Sequence, residues 1–514
     1  MSASLLKSTG VVGLMTLLSR VLGFGRDVLL ATMFGAGAGM DAFLIALKIP
    51  NFGRRVFAEG AFSQAFVPVF TETRTREDHA AVRELTAVVM GTLAGVLGLI
   101  TLVGCLAAPW LVWIFAPGFG ADPAKHALGS ELLRWTFPYL MFISLTAMTS
   151  GILNAYGRFA VPAVTPVLLN ICLIAAAFID PGSVQILAYA VFVAGICQFA
   201  FQLPWLAHLR LLPRPRWGWG DGRVRRIIGL MIPVMIGSSV AQVSLLLDAA
   251  LASLLGDGSV SWLYYADRLM EFPLGIFSIA IGTVILPTLA AQHAGQSPTS
   301  FSSTLDWGLR TMLVVGVPAP VGLVLFAGPL IATLFGHGRF SLQDVQMTTY
   351  ALWAYGFGFL GFSLVKVLVP GFYARQETRV PMRYAIISLC CGMTLSLSFF
   401  VLAQFFEFTA AHVGLAAATA ASAWINSMLL LRRLRRDGVY RPAPGWPVFL
   451  MRLAVASIAL IGVIAWGSGP LQSWLSMEAL ARGLRLLIVV AAGVAAYFGA
   501  LALLGLRPRH FRRT

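Results

Sequence analysis

Apolar runs of about 20 residues recur from end to end of the chain, separated by proline, glycine and short charge clusters. That is the length a helix needs to cross a bilayer. Dividing the chain at those interruptions predicts about fourteen spans, centred near residues 22, 57, 98, 142, 171, 197, 238, 275, 320, 358, 392, 422, 457 and 494. The predicted fold class is therefore all-α, a polytopic membrane protein. The first apolar stretch, from about Thr9 to Phe34, contains Arg20, Arg26 and Asp27 and has no small-residue cleavage site. It is expected to stay as the first span rather than to be removed as a signal peptide.

Composition sharpens this reading. Of 514 residues, 58% are hydrophobic and 11% charged, against a charged share of about 25% in soluble domains. The formal charge of +16 falls in clusters between apolar runs rather than in one patch, so it reports topology and not a nucleic-acid partner. Arg74, Arg76 and Arg83 lie in the second loop. Arg210, Arg214, Arg216, Arg223, Arg225 and Arg226 lie in the sixth. The tenth holds Arg375, Arg379 and Arg383, and the twelfth Arg432, Arg433, Arg435, Arg436 and Arg441. Odd-numbered loops hold little beyond Lys125, Arg134, Arg339, Arg482 and Arg485. By the positive-inside rule both termini are expected in the cytoplasm, and the tail with Arg507, Arg509, Arg512 and Arg513 agrees. The five cysteines all sit in apolar runs without CxxC spacing, and the seven histidines show no ligand spacing. Neither a disulfide framework nor a metal site is expected.

The arginine-rich sixth loop divides the chain, and a faint echo crosses it: Ala65-Phe66-Val67-Pro68 ends the second span and Ile285-Leu286-Pro287 the eighth. This predicts two six-helix lobes in parallel pseudo-repeat, residues 1–215 and 216–440, with two more helices and a basic tail in 441–514.

Seven cations fall at membrane depth: Arg20, Arg26, Lys48, Arg54, Arg55, Arg268 and Lys366. At roughly 2.5–3.5 kcal/mol each, exposing them to lipid would cost about 20 kcal/mol, more than a typical net folding stability. They must face protein or water. In an ideal helix Asp41, Lys48, Arg55 and Glu59 form one stripe, and Arg20 shares a face with Asp27. Arg26 sits about 120° away, so a bend at Gly23 and Gly25 or a broad wet face is expected. Tyr264, Arg268 and Glu271 are spaced four and three apart, just before Pro273 and Gly275. Ion pairing of Arg20 with Asp27, of Lys48 or Arg55 with Glu59, and of Arg268 with Glu271 would account for single cases. A water-filled cationic cavity accounts for the whole set, and arginine suits an anionic cargo such as a diphosphate. Asp248, near Ser244 and Gln242, is either a cation or proton site or the partner of a neighbouring cation.

The same segments are recognisable. Arg20-Val-Leu-Gly-Phe-Gly-Arg26-Asp27, Asp41-Ala-Phe-Leu-Ile-Ala-Leu-Lys48-Ile-Pro50-Asn51, Ala58-Glu59-Gly60-Ala61-Phe62-Ser63-Gln64-Ala65-Phe66-Val67-Pro68 and Ala266-Asp267-Arg268-Leu269-Met270-Glu271-Phe272-Pro273-Leu274-Gly275 strongly resemble the MurJ (MviN) family. The resemblance extends over essentially the whole chain. It implies the fold of the multidrug, oligosaccharidyl-lipid and polysaccharide (MOP) exporter superfamily: two six-helix lobes around a central cavity, with two further helices forming a groove for a lipid tail. It also implies flipping of lipid II, the undecaprenyl-diphosphate-linked peptidoglycan precursor, across the bacterial inner membrane by alternating access. Arg20, Arg26 and Arg268 match the family's cavity arginines as substrate-binding residues, joined by Arg54, Arg55 and Lys48. Asp27, Asp41, Glu59 and Glu271 are expected as cavity or gating charges.

No catalytic residue and no cofactor is expected. Energy could come from the membrane potential or a monovalent cation, with Asp248 as the candidate ion site. The eleventh span offers Thr394 and Ser396 but no mid-span carboxylate as its partner. Expected partners are lipid II, membrane lipids and the cell-wall synthesis machinery. The rivals are an exporter of another lipid-linked oligosaccharide, an ion-coupled drug exporter of the same superfamily, a polyprenyl-diphosphate enzyme and a non-transporting scaffold. Cationic lining disfavours a cationic drug. The short outer loops lack the clustered acid, base or nucleophile of an enzyme, and no GxxxxGK[ST] loop is present.

Overall fold

The computed structural model describes residues 3–212 and 214–506; the side chains at 3–12, 58–60, 236–241 and 276–284, and the tail arginines from Arg507 onward, lie outside that description. The described residues form helices and short connections, with no strand among them. By contact they divide into two compact units, Met1–Ser261 and Trp262–Thr514.

The first unit contains α1 (Ala3–Phe34), α2 (Ala38–Gly53), a wide π-type stretch (Arg54–Phe62) and α3 (Ser63–Arg76). α4 (His79–Leu106), α5 (Ala108–Phe115), α6 (Pro123–Thr136), α7 (Tyr139–Ala155) and α8 (Ala160–Ile179) follow. α9 (Val184–His208) and α10 (Gly222–Ser253) complete it. Helix starts are set by short polar side chains that satisfy first-turn N–H groups. Asp78 accepts from Ala81 at 2.8 Å, Asp122 from Ala124 at 2.9 Å with Pro123 behind it, and Asp221 from Arg223 at 2.7 Å. The core is anchored by Phe62, Phe66 and Phe70, four residues apart, with centroids 5.0 and 5.4 Å apart. They pack with Leu85, Met148 and Ile152.

α11 (Ser259–Ala294) begins at the boundary. The second unit continues with α12 (Pro298–Gly316), α13 (Pro318–Leu325), α14 (Ala327–Leu334), α15 (Leu342–Tyr373), α16 (Arg379–Phe405) and α17 (His412–Arg436). α18 (Trp446–Ser468), α19 (Leu471–Leu475) and α20 (Ala479–Leu503) close the chain. α15 crosses α17 closely because Gly358 and Gly361 present no side chain. A Cβ at Gly361 would stand 2.9 Å from the Trp424 backbone nitrogen, which is how small residues drive helix pairing where lipid offers no hydrophobic gain. α18 and α20 pair beside α12 and α13 around Phe326, Leu453, Leu460, Trp474 and Tyr497. Buried Arg482 donates to the carbonyls of Ala332, Gly336, Leu475 and Met477.

Among the described residues, ten helical segments are long and apolar enough to cross a membrane. The four long segments outside that set, 3–34, 38–76, 222–253 and 259–294, carry the candidate charges Arg20, Arg26, Asp27, Asp41, Lys48, Arg54, Arg55, Glu59, Asp248, Arg268 and Glu271. Each expected span centre falls within one of these fourteen segments or continuous pairs. The contact boundary at Ser261 differs from the sequence division at 215. α10 belongs with the first unit because Arg226 pairs with Glu72 at 2.9 Å and Ser253 Oγ accepts from Gly118 at 3.1 Å.

Candidate functional site

Within the first unit the membrane-depth charges separate into buried and accessible groups. Arg26 is 7% exposed, and its Nε donates to Asp27 Oδ1 at 3.0 Å while Nη1 donates to Asn170 Oδ1 at 3.0 Å. Asn170 Nδ2 in turn donates to the Ser19 carbonyl at 3.2 Å. This corrects two sequence expectations. Asp27 pairs with its neighbour Arg26 rather than with Arg20, and Arg26 faces α8 rather than a wet face. The reason is that α1 packs along α8, where the amide of Asn170 accepts from the guanidinium inside the bundle. Asn170 was missed from sequence. A single amide in an otherwise apolar run was the available signal.

Arg20 lies on the accessible side of α1. It is exposed and makes no hydrogen bond or ion pair with any described residue. With Thr16, Ser19, Asn154, Phe159 and Pro166 it lines a cleft of about 520 Å³ between α1, α7 and α8. A guanidinium there keeps all five N–H donors available for an anion.

The ionic stripe expected along 41–59 is broken up. Asp41 is buried at the start of α2, where it accepts from Gly258 N at 2.8 Å, Ser261 N at 2.9 Å and Ser261 Oγ at 2.6 Å. Lys125 Nζ stands 3.5 Å from Asp41 and 2.6 Å from Asp257, over the Phe119 ring. Asp41 is therefore a joint between α2, α6 and the turn before α11, not a lining charge. Sequence reading took Lys125 for an ordinary loop charge, because nothing local reveals partners 84 and 132 residues away. Lys48 is half-buried. A π-type stretch begins at Arg54 and departs from ideal α-helical phase beyond it; such wide turns favour functional segments. Arg54 Nε donates to Asn51 Oδ1 at 3.1 Å, and exposed Arg55 donates to Gln242 on α10 at 3.3 Å. The Glu59 side chain lies outside the described residues. Asp248 is half-buried on α10.

In the second unit the expected pair is present. Arg268 Nη1 donates to Glu271 Oε2 at 2.9 Å, with its guanidinium 5.1 Å from the centroid of the Tyr264 ring. Both charged side chains remain partly exposed. Lys366 is exposed on α15. Among the described residues no His, Cys, Asp and Glu group is arranged to hold a metal ion.

The architecture is that of the MOP transporters. A multidrug resistance MATE family transporter of that superfamily, in an inward-facing conformation, superposes with a TM-score of 0.69 at 13% identity. The match covers 84% of this chain and 98% of that one, and it speaks for the fold. A structure described as lipid II flippase MurJ in an inward closed conformation gives a TM-score of 0.79 at 24% identity, over 96% of this chain and 98% of its own. The model of the family "Lipid II flippase MurJ" matches residues 30–484. A Vibrio cholerae protein named "Probable lipid II flippase MurJ" is 45% identical over 99% of this chain and 98% of its own length. The chain belongs to the lipid II flippase MurJ family.

Proposed function

We propose that this chain moves lipid II from the cytoplasmic to the periplasmic leaflet of the bacterial inner membrane, with both termini in the cytoplasm. The observation that carries the reading is Arg20: an unpaired guanidinium at membrane depth, lining a cleft whose other walls are hydroxyls, an amide, Phe159 and prolines. Leaving a cation there is costly unless an anion visits it. A diphosphate joined to a polyprenyl tail matches both the charge and the apolar rim. In this reading Arg20, Lys48, Arg54, Arg55 and Arg268 engage the head group. Arg26, tied to Asp27 and Asn170, positions α1, and Asp41, Glu59 and Glu271 act in gating. The tail stays in lipid while alternating access carries the head group through.

An anionic head group moving outward runs down an inside-negative potential, worth about 2.3 kcal/mol per charge for each 100 mV. The membrane potential is thus the simplest energy source, with Asp248 the position for a coupling cation if one is used. The cell-wall synthesis machinery is the proposed consumer of the flipped product. The test is the fraction of lipid II cleaved in intact cells by an impermeant enzyme, before and after depletion of this protein. Collapse of exposure with total lipid II maintained supports the reading. Unchanged exposure transfers the activity to another lipid-linked sugar.

A further inference from the structure

Irregular backbone is rare beside the apolar part of a membrane helix, because its polar groups find no water there. The segment joining α9 to α10 is held in such a place. Arg210 turns the chain with φ 56°, and the following residues cross α4. Arg216 N donates to the Ala87 carbonyl at 3.0 Å, and Gly218 N to Thr92 Oγ1 at 3.0 Å. α4 is grooved to receive this strap. A Cβ on Gly91 would stand 2.3 Å from the Arg216 carbonyl oxygen, and one on Gly95 would stand 2.7 Å from the Trp217 ring. Counted from His79, Ala87 and Gly95 lie about 12 and 24 Å along the helix. The strap therefore lies against α4 where its polar first turns give way to its apolar length.

Apart from buried Leu211 and half-buried Gly218, its described residues are exposed. Trp217 and Trp219 stack with centroids 6.0 Å apart at 10°, yet they remain 64% and 49% exposed. Two of the six arginines of this loop are neutralised from within. Arg223 meets Asp221 at 2.9 Å, Glu84 at 3.7 Å and Glu77 at 3.8 Å, and Arg226 meets Glu72 at 2.9 Å. Arg210, Arg214, Arg216 and Arg225 are exposed and have no carboxylate partner among the described residues. A fixed indole pair flanked by unneutralised guanidiniums combines the two features of interfacial lipid recognition: rings that sit at headgroup depth and forks that bind phosphate.

We propose that the strap formed by residues 210–212 and 214–219, with Arg225 beside it, is a docking site for the headgroups of anionic glycerophospholipids in the adjacent leaflet. The site is independent of the transported substrate. The full chain is reconstituted into phosphatidylcholine vesicles containing either brominated-chain phosphatidylglycerol or brominated-chain phosphatidylcholine at equal mole fraction. The strap's signal is the difference in tryptophan quenching between the unaltered protein and Trp217→Phe/Trp219→Phe. Quenching by the anionic lipid is expected to exceed that by the zwitterionic one several-fold at low salt, with about fivefold in relative affinity for each arginine engaged. The excess is expected to vanish at high salt and in Arg210→Gln/Arg214→Gln/Arg216→Gln/Arg225→Gln, and to survive Arg379→Gln/Arg383→Gln at the start of α16. Equal quenching by both lipids at low salt, quenching by neither, or an excess indifferent to salt overturns the proposal. The salt series on the unaltered protein keeps the test decisive should the fourfold variant fail to insert.

Discussion

Asp27 and Arg26 should separate stability from transport. Asp27→Ala removes the carboxylate that accepts from Arg26 at 3.0 Å and leaves a 7%-exposed guanidinium, still donating to Asn170, without that carboxylate. Breaking a buried pair from one side costs about 3–5 kcal/mol, whereas replacing both members by apolar residues is often neutral. For a cooperative unit the size of residues 1–261, each kcal/mol moves Tm by about 2–4 °C, so Asp27→Ala should lower Tm by roughly 6–20 °C. Arg26→Leu/Asp27→Leu should recover most of that loss, because α1 keeps its apolar packing, and still fail to support growth as the sole copy, because the Arg26–Asn170 link that positions α1 is gone. The assay is thermal unfolding of detergent-solubilised protein followed by size-exclusion, alongside complementation. A double variant as unstable as Asp27→Ala would refute the pairing argument. An Asp27→Ala protein melting with the unaltered one would show that Arg26 is already satisfied without its neighbour.

Arg20→Ala breaks no described contact, so it should accumulate normally, shift Tm by less than about 2 °C, and abolish outer-leaflet exposure of lipid II; normal growth on this copy would count against the cleft. Asp41→Ala removes one of the two carboxylates beside Lys125 and strands the N–H groups of Gly258 and Ser261. A loss of about 3–5 kcal/mol is expected, read as faster proteolysis near residues 254–258. Asp221, in the loop before α10, has its carboxyl held below the usual range chiefly by the hydrogen bond from the Arg223 side chain. Its cap is therefore intact above the ordinary carboxylate value of 3.8 and is lost as pH falls through the lowered one. Amide exchange at Arg223, corrected for intrinsic rate, should rise only below about pH 4, and Asp221→Asn should abolish that acid step.

Helix existence was legible because a bilayer imposes one length on apolar runs, and the arginine clusters marked the connections. The pairing of Arg268 with Glu271 was legible for a related reason, since neighbours three apart on a helix meet by local geometry alone. Ideal helical phase failed at two places. It could not place Arg26, whose partner Asn170 comes from another helix, and it carried the stripe on to Glu59, into a stretch that winds as a π-type turn. Burial of Asp41 was equally hidden, since its ligands are backbone N–H groups of a distant turn, which carry no side-chain signature in sequence.

The hydrogen bond between Arg26 and Asn170 spans 144 residues of chain, and this sets an order for biosynthesis. α1 leaves the ribosome first with a cation and a carboxylate in its middle, and the amide that completes their burial does not yet exist. At about 5–20 residues per second, the wait for Asn170 is roughly 7–30 s. During that interval α1 must remain beside the insertion machinery or near the interface, with Arg26 hydrated, until α8 arrives to accept it. Membrane integration of this chain is thus expected to be retroactive: the first helix settles only when the helix it packs along has been made.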